Sequence, residues 1–269
     1  MISGVKMKLG LKNKVAVIGG SSSGIGKTVA MMFAKEGCRV VICGRHADRL
    51  SAVRSEILEK HKVDVLSVCM DQTKKEDIKR LVKNTVTRLK RIDILFTNTG
   101  GPKSGNFFDF SEEDWNSAHE LLLLYVVRVY NEVIPIMKEQ GFGRIINNTS
   151  FTVKEPADAL VLSNVYRTAV VSLAKTLSRE LARFNITINN ICPGFVDTDR
   201  LKELFGKTAE KEGISADEVY KRAISNMPIN RLQKSDDIAR LVAFLASESA
   251  ETITGTTIQI DGGLIKGLF

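Results

Sequence analysis

Two groups of residues in this chain have types and spacing suited to chemistry. The first is Gly20, Ser22, Ser23, Gly24, Ile25 and Gly26, directly after Val15-Ala16-Val17-Ile18. Those four apolar residues, rich in β-branching, predict a strand buried on both faces. Ile25, Val29, Met32 and Phe33 then predict one stripe of a helix. The N-terminus of such a helix offers unpaired backbone N–H groups and a positive dipole end to a pyrophosphate. The glycines let the backbone come close to the phosphates. An ordinary flexible turn would also carry glycines, but the strand and helix that a dinucleotide site requires are both present. The second group is Gly44-Arg45, after the apolar run Arg39–Cys43. An acid at that place would hold the ribose hydroxyls of NAD, whereas an Arg accommodates a 2′-phosphate. The expected cofactor is NADP, with NAD left open.

Other chemistries lack their residues. Cys38, Cys43, Cys69 and Cys192 form no Cys-x-x-Cys pair, and His46, His61 and His119 are far apart, so no metal site is expected. Three of the cysteines lie beside or within apolar runs, as buried reduced thiols do. The net charge of +8 is spread over helical faces without a Lys/Arg block. That argues against nucleic acid and for an anionic ligand. The opening residues show no signal-peptide pattern, and the most apolar run, Leu121–Val127, is far below the ~20 residues of a membrane span. A cytoplasmic protein with no membrane partner is expected.

The elements that must position these groups alternate along the chain. After a leader over 1–13, strands are expected near 15–18, 39–43, 63–70, 92–96, 144–147, 186–191 and 256–260. Helical patterns separate them, with a loop at 102–110 and an N-cap signal at Ser111–Asp114. Long helices are expected over Trp115–Met137 and about Leu160–Phe184. The segment 199–230 is charged and less periodic. This alternation predicts one α/β domain over 1–269, a doubly wound Rossmann unit with a parallel seven-stranded sheet covered on both faces.

The spacing Gly20-x-x-x-Gly24-x-Gly26 resembles the short-chain dehydrogenase/reductase family, and the likeness continues along almost the whole chain. The family usually carries a Thr where Gly19 stands. Thr97-Asn98-Thr99-Gly100 resembles its Asn-Asn-Ala-Gly motif, with Asn98 and Gly100 matching. The resemblance places Asp71 beside the adenine, Pro193-Gly194 over the nicotinamide, and Thr198 at the carboxamide. It gives 199–230 as a mobile substrate-covering segment. Family members act on carbonyl or alcohol substrates with Ser, Tyr, Lys and Asn. Ser150 matches the serine, but the Tyr position thirteen residues on is Ser163, and the Lys position four further on is Arg167. The Asn position, seven after Trp115, is Leu122. Shifting the register to Tyr166 puts Val170 at the Lys position. Lys154, four after Ser150, is a candidate substitute acid.

The combination resembles a divergent, 3-oxoacyl-(acyl-carrier-protein) reductase-like branch. It leaves two readings. One is an NADP(H) oxidoreductase with a rearranged catalytic set of Ser150, Ser163 and Arg167. The other is a non-catalytic nucleotide-binding or regulatory protein. The family's habit of pairing helices, with the apolar run at Leu121–Val127, implies a homo-oligomer, specifically a tetramer.

Overall fold

The computed structural model describes residues 8–268. Its strands are β1 (Val15–Ile18), β2 (Arg39–Gly44), β3 (Val65–Cys69), β4 (Ile94–Thr97), β5 (Gly143–Asn148), β6 (Ile186–Pro193) and β7 (Thr257–Ile260). They form a single sheet in the order β3-β2-β1-β4-β5-β6-β7, parallel throughout. The helices are α1 (Gly24–Lys35), α2 (Ala47–Lys60), α3 (Lys75–Leu89), α4 (Glu112–His119), α5 (Tyr125–Gln140), α6 (Val161–Leu181), α7 (Asp199–Glu212), α8 (Ala216–Ser225) and α9 (Ser235–Leu245). The doubly wound Rossmann architecture expected from the alternation is the one observed.

Side-chain alternation along β1 divides the core. Val15 and Val17 pack with residues of α3, α5 and α6 on one face, while Ala16 and Ile18 pack with α1, α2 and α9 on the other. Strand order reverses at β1, between β2 and β4. The crevice beyond the strand C-termini at that reversal is where open α/β sheets bind ligands.

Three stretches differ from the sequence reading. The helix expected over Trp115–Met137 is broken by a π turn at Glu120–Leu124, where the Tyr125 N–H donates to the Glu120 carbonyl. The wide turn lets Leu122, Tyr125 and Val126 all point into the core. The 102–110 loop is partly ordered by a short bridge between Gly105 and Leu160 and a 3-10 turn at Phe107–Asp109. Segment 199–230 contains two regular helices, capped by Thr198 and Ser215. Their weak apolar period reflects shallow burial: α7 buries only Ala209, and α8 only Val219 and Ala223.

Of the expected leader, residues 1–7 lie outside the described ones. The rest is tied down, with Leu11 in the core and the Asn13 N–H donating to the Gly37 carbonyl. Among the described residues no helix is long and apolar enough to cross a membrane, and no His/Cys/Asp/Glu cluster could hold a metal ion.

Candidate active site

One cleft of about 840 Å³ opens at the strand C-termini. Its floor begins with the glycine turn. Gly20 and Gly24 are left-handed (φ +54 for each), and a Cβ on Gly26 would lie 2.3 Å from the Gly20 carbonyl oxygen. Gly20, Ser22, Ser23, Gly24 and Ile25 line the cleft; Gly26 does not, and acts by close packing beneath the turn. The Ser23 hydroxyl makes no cap bond to α1, leaving that helix N-terminus open to a ligand.

The missing Thr at Gly19 has a steric explanation. A Cβ there would stand 2.6 Å from the Tyr125 hydroxyl and 2.6 Å from the Asn98 carbonyl oxygen. Tyr125, brought inward just after the π turn, occupies the space.

Asn98 staples three strand ends. Its Nδ2 donates to the Gly19 and Gly20 carbonyls (3.1 and 3.3 Å), and its Oδ1 accepts from Asn148 (2.7 Å). Gly100, Pro193, Gly194 and Thr198 also line the cleft. The Thr198 hydroxyl accepts from the Leu201 N–H at 3.3 Å, capping α7.

Asp71 is not in the cleft wall. Its carboxylate accepts from the Thr73 N–H and hydroxyl (2.9 and 2.8 Å), a turn-starting role, and its neighbour Gln72 lines the cleft instead. At the far end Arg45 is joined by His46 and Arg49, two groups the sequence reading missed. Arg49 follows Arg45 by four residues, a spacing that could have flagged it. Neither arginine pairs with a carboxylate among the described residues.

The second half of the cleft holds Ser150, Ser163 and Arg167 together. Ser150 caps the short turn Phe151–Val153, its Oγ accepting from the Thr152 N–H at 3.2 Å. The Thr152 hydroxyl in turn lies 3.5 Å from Ser163 Oγ. This buried threonine, absent from the sequence reading, connects the two serines. One helical turn beyond Ser163, Arg167 donates to the Asn148 carbonyl at 2.8 Å. Burial pushes its guanidinium down to about 10, so it remains a cation at neutral pH.

Lys154 is half-buried and does not line the cleft. Tyr166 meets Trp115 edge-on and lies tilted against His119, and it does not line the cleft. Cys38, Cys43 and Cys192 are buried, whereas Cys69 is exposed. Burial pushes the Cys38 and Cys43 thiols up to about 12 and that of Cys192 to about 11, which leaves them protonated.

The departures from the family pattern meet in space. Behind Arg167 lies a cavity of about 10 Å³, lined by Thr97, Thr99, Leu122, Asn148 and Arg167 among others. Four of those five occupy positions where the family usually has another residue. The buried Asn148 Oδ1 has no hydrogen-bond partner among the described residues. A cavity of that size with several polar walls suits a single water. Thr97 also donates to Asn147 Oδ1 (2.6 Å), which accepts from the Tyr130 hydroxyl as well (2.7 Å), joining the site to a polar ladder inside the sheet.

A glycine turn at the strand reversal, and a serine–serine–arginine group across the same cleft, define a dinucleotide-dependent oxidoreductase scaffold. The chain belongs to the short-chain dehydrogenase/reductase family: residues 20–265 match the family model described as enoyl-(acyl carrier protein) reductase. It is 30% identical over 259 residues to the NADPH-dependent reductase BacG of Bacillus subtilis, covering 96% of this chain and 100% of that one. It is 32% identical over 255 residues to the 3-oxoacyl-(acyl-carrier-protein) reductase FabG of Staphylococcus epidermidis, covering 94% and 99%. The structure of L-sorbose reductase from Gluconobacter frateurii, complexed with NADPH and L-sorbose, superposes with a TM-score of 0.92 at 32% identity over 97% of this chain and 100% of that one.

Proposed function

We propose that this protein is an NADP(H)-dependent reductase of small-molecule carbonyl compounds, running in reverse on the alcohols, with Ser150, Ser163 and Arg167 around the reacting oxygen. The observation that carries the reading is the convergence of those three residues on the cleft that the glycine turn opens. The chain fits the dinucleotide: Gly20 and Gly24 hold left-handed backbone, a Cβ at Gly26 would collide with the turn, and Arg45 and Arg49, paired with no carboxylate among the described residues, would hold a 2′-phosphate. When bound, the dinucleotide supplies the hydride.

The residues themselves then do the rest. The Ser150 and Ser163 hydroxyls and the Arg167 guanidinium donate to the carbonyl oxygen and stabilise the negative charge that gathers there. A serine hydroxyl is a far weaker acid than a phenol, and the Arg167 guanidinium, donating to the Asn148 carbonyl, stays charged at neutral pH, so neither is an efficient proton donor. Protonation falls to water, which fits the small cavity behind Arg167. The reaction is therefore slow.

The test is calorimetric titration of both cofactors. NADPH binds at least about tenfold more tightly than NADH, and Arg45→Asp reverses the order, since a lost charge-assisted hydrogen bond costs ~1.5–3 kcal/mol. Equal or tighter binding of NADH to the parent protein overturns the assignment.

One observation favours the second reading, a nucleotide-binding or regulatory protein without catalysis: no tyrosine among the described residues lines the cleft. Binding of NADPH with no turnover of any ketone would establish it. The half-buried faces of Leu121 and Leu124 support the tetramer proposal; a monomer in light scattering at micromolar concentration refutes it.

A further inference from the structure

Segment 199–226, which forms one wall of the cleft, contains six Lys/Arg and six Asp/Glu. The two signs are segregated. Arg200, Lys207, Lys211 and Arg222 line the cleft, against Asp199 alone; the other five acids do not. Arg200 is committed to the fold, since it donates to the Pro102 carbonyl at 2.8 Å and pairs with Glu203. Lys207 and Arg222 pair only with exposed carboxylates, Glu203 (2.8 Å) and Glu212 (2.7 Å). Exposed pairs of this kind are weak and exchange readily for a ligand anion. Lys211, one turn beyond Lys207 on α7, pairs with no carboxylate among the described residues.

Closer to the serines the same wall is apolar. Phe151, beside Ser150, meets Phe195 edge-on (ring centroids 5.5 Å), Phe195 meets Phe205 (6.1 Å), and Phe205 meets Tyr220 (6.5 Å). This row of rings leads from the reacting end to the two lid helices. The cations share that wall: Phe205, Lys207 and Lys211 on α7 and Arg222 on α8 all line the cleft. Arg45, in the bend after β2, and Arg49, on α2, lie at the nucleotide end. The lid cations are thus a separate set.

We propose that the substrate is amphiphilic, with an apolar body between the carbonyl and a terminal carboxylate or phosphate. The apolar body lies along Phe195 and Phe205, and Lys207 and Lys211 hold the anion. This substrate class rests on the reductase reading above.

Four probes share one skeleton: 4-(3-oxobutyl)benzoate, its methyl ester, 4-(3-oxobutyl)phenyl phosphate, and the corresponding phenol. In NADPH-oxidation assays at least one anionic probe has a kcat/KM tenfold or more above its neutral partner. The preferred anion tells carboxylate from phosphate. Lys207→Gln with Lys211→Gln brings that ratio to within twofold of one. Equal use of charged and neutral probes overturns the proposal, as does a preference that survives the double change.

Calorimetry on the NADP⁺-loaded protein decides the matter without turnover. If no ketone is reduced, the reductase reading fails alone, and a tenfold anion preference in binding that the double change removes still upholds the anion site. A double variant that loses affinity for NADP⁺ itself by tenfold shows the lysines serving the cofactor phosphates, and the proposal falls.

Discussion

Ser163→Tyr combined with Arg167→Lys raises kcat/KM on a simple ketone by about 10²–10⁴-fold, the span a well-placed general acid contributes. Ser163 lines the cleft and is 7% exposed, so a tyrosine ring extends into the open volume. An ammonium one helical turn away lowers the phenol pKa from its ordinary value of ~10 and makes it a usable acid. The two proteins differ in pH dependence as well. The parent's rate at saturating cofactor is flat from about pH 6 to 9, because serine hydroxyls do not titrate there. It falls near pH 10, where the buried guanidinium releases its proton. The double variant gains a limb below that, from the new phenol. Leu122→Asn, which opens a donor and acceptor onto the small cavity, adds further turnover if water delivers the proton. Brisk activity in the parent that the double change abolishes would show Ser163 and Arg167 to be a competent site of their own, and the account of a weakened site would be wrong.

The unevenness of what the sequence reveals has physical causes. Parallel strands buried on both faces read as continuous apolar runs, so the sheet and its glycine turn are legible without coordinates. Segment 199–230 is not, because helices that bury one or two residues leave almost no period to detect. Asp71 shows the limit of carrying a role by position alone. A strand-ending aspartate is equally suited to starting a turn, and here the Thr73 hydrogen bonds take its carboxylate. The individual departures at Thr97, Thr99, Leu122 and Arg167 are legible one by one. Their meeting around a single cavity is not, since Thr97 and Arg167 are 70 residues apart and only the packing of the π turn and α6 at the ends of β4 and β5 brings them together. Thr152 was missed because nothing about a buried threonine marks it in sequence. Its importance is the 3.5 Å contact with Ser163.

Gly26→Ala and Gly100→Ala, two changes alike in sequence, have opposite expected outcomes. Both glycines belong to motifs around the nucleotide cleft. A Cβ on Gly26 meets the Gly20 carbonyl oxygen at 2.3 Å and Asn98 Nδ2 at 2.9 Å, and the first of these is backbone that cannot swing aside. Relief requires moving α1 off the turn, which also disturbs the Asn98 bonds to the Gly19 and Gly20 carbonyls. Overpacking of this kind costs about 1–3 kcal/mol, or roughly 3–10 °C in Tm for a chain of this size. Because the displaced atoms form the phosphate cradle, NADPH affinity falls at the same time, by about 100-fold if the cradle loses two hydrogen bonds to charged oxygens. At Gly100 a Cβ meets nothing within 4 Å and the backbone is not left-handed, so Gly100→Ala keeps Tm within about 2 °C. Thermal melts of the two variants, with NADPH titrations of the Gly26 variant, separate the cases. Equal melting temperatures would mean that α1 yields at little cost, and the close packing of Gly26 would then not be what fixes the turn.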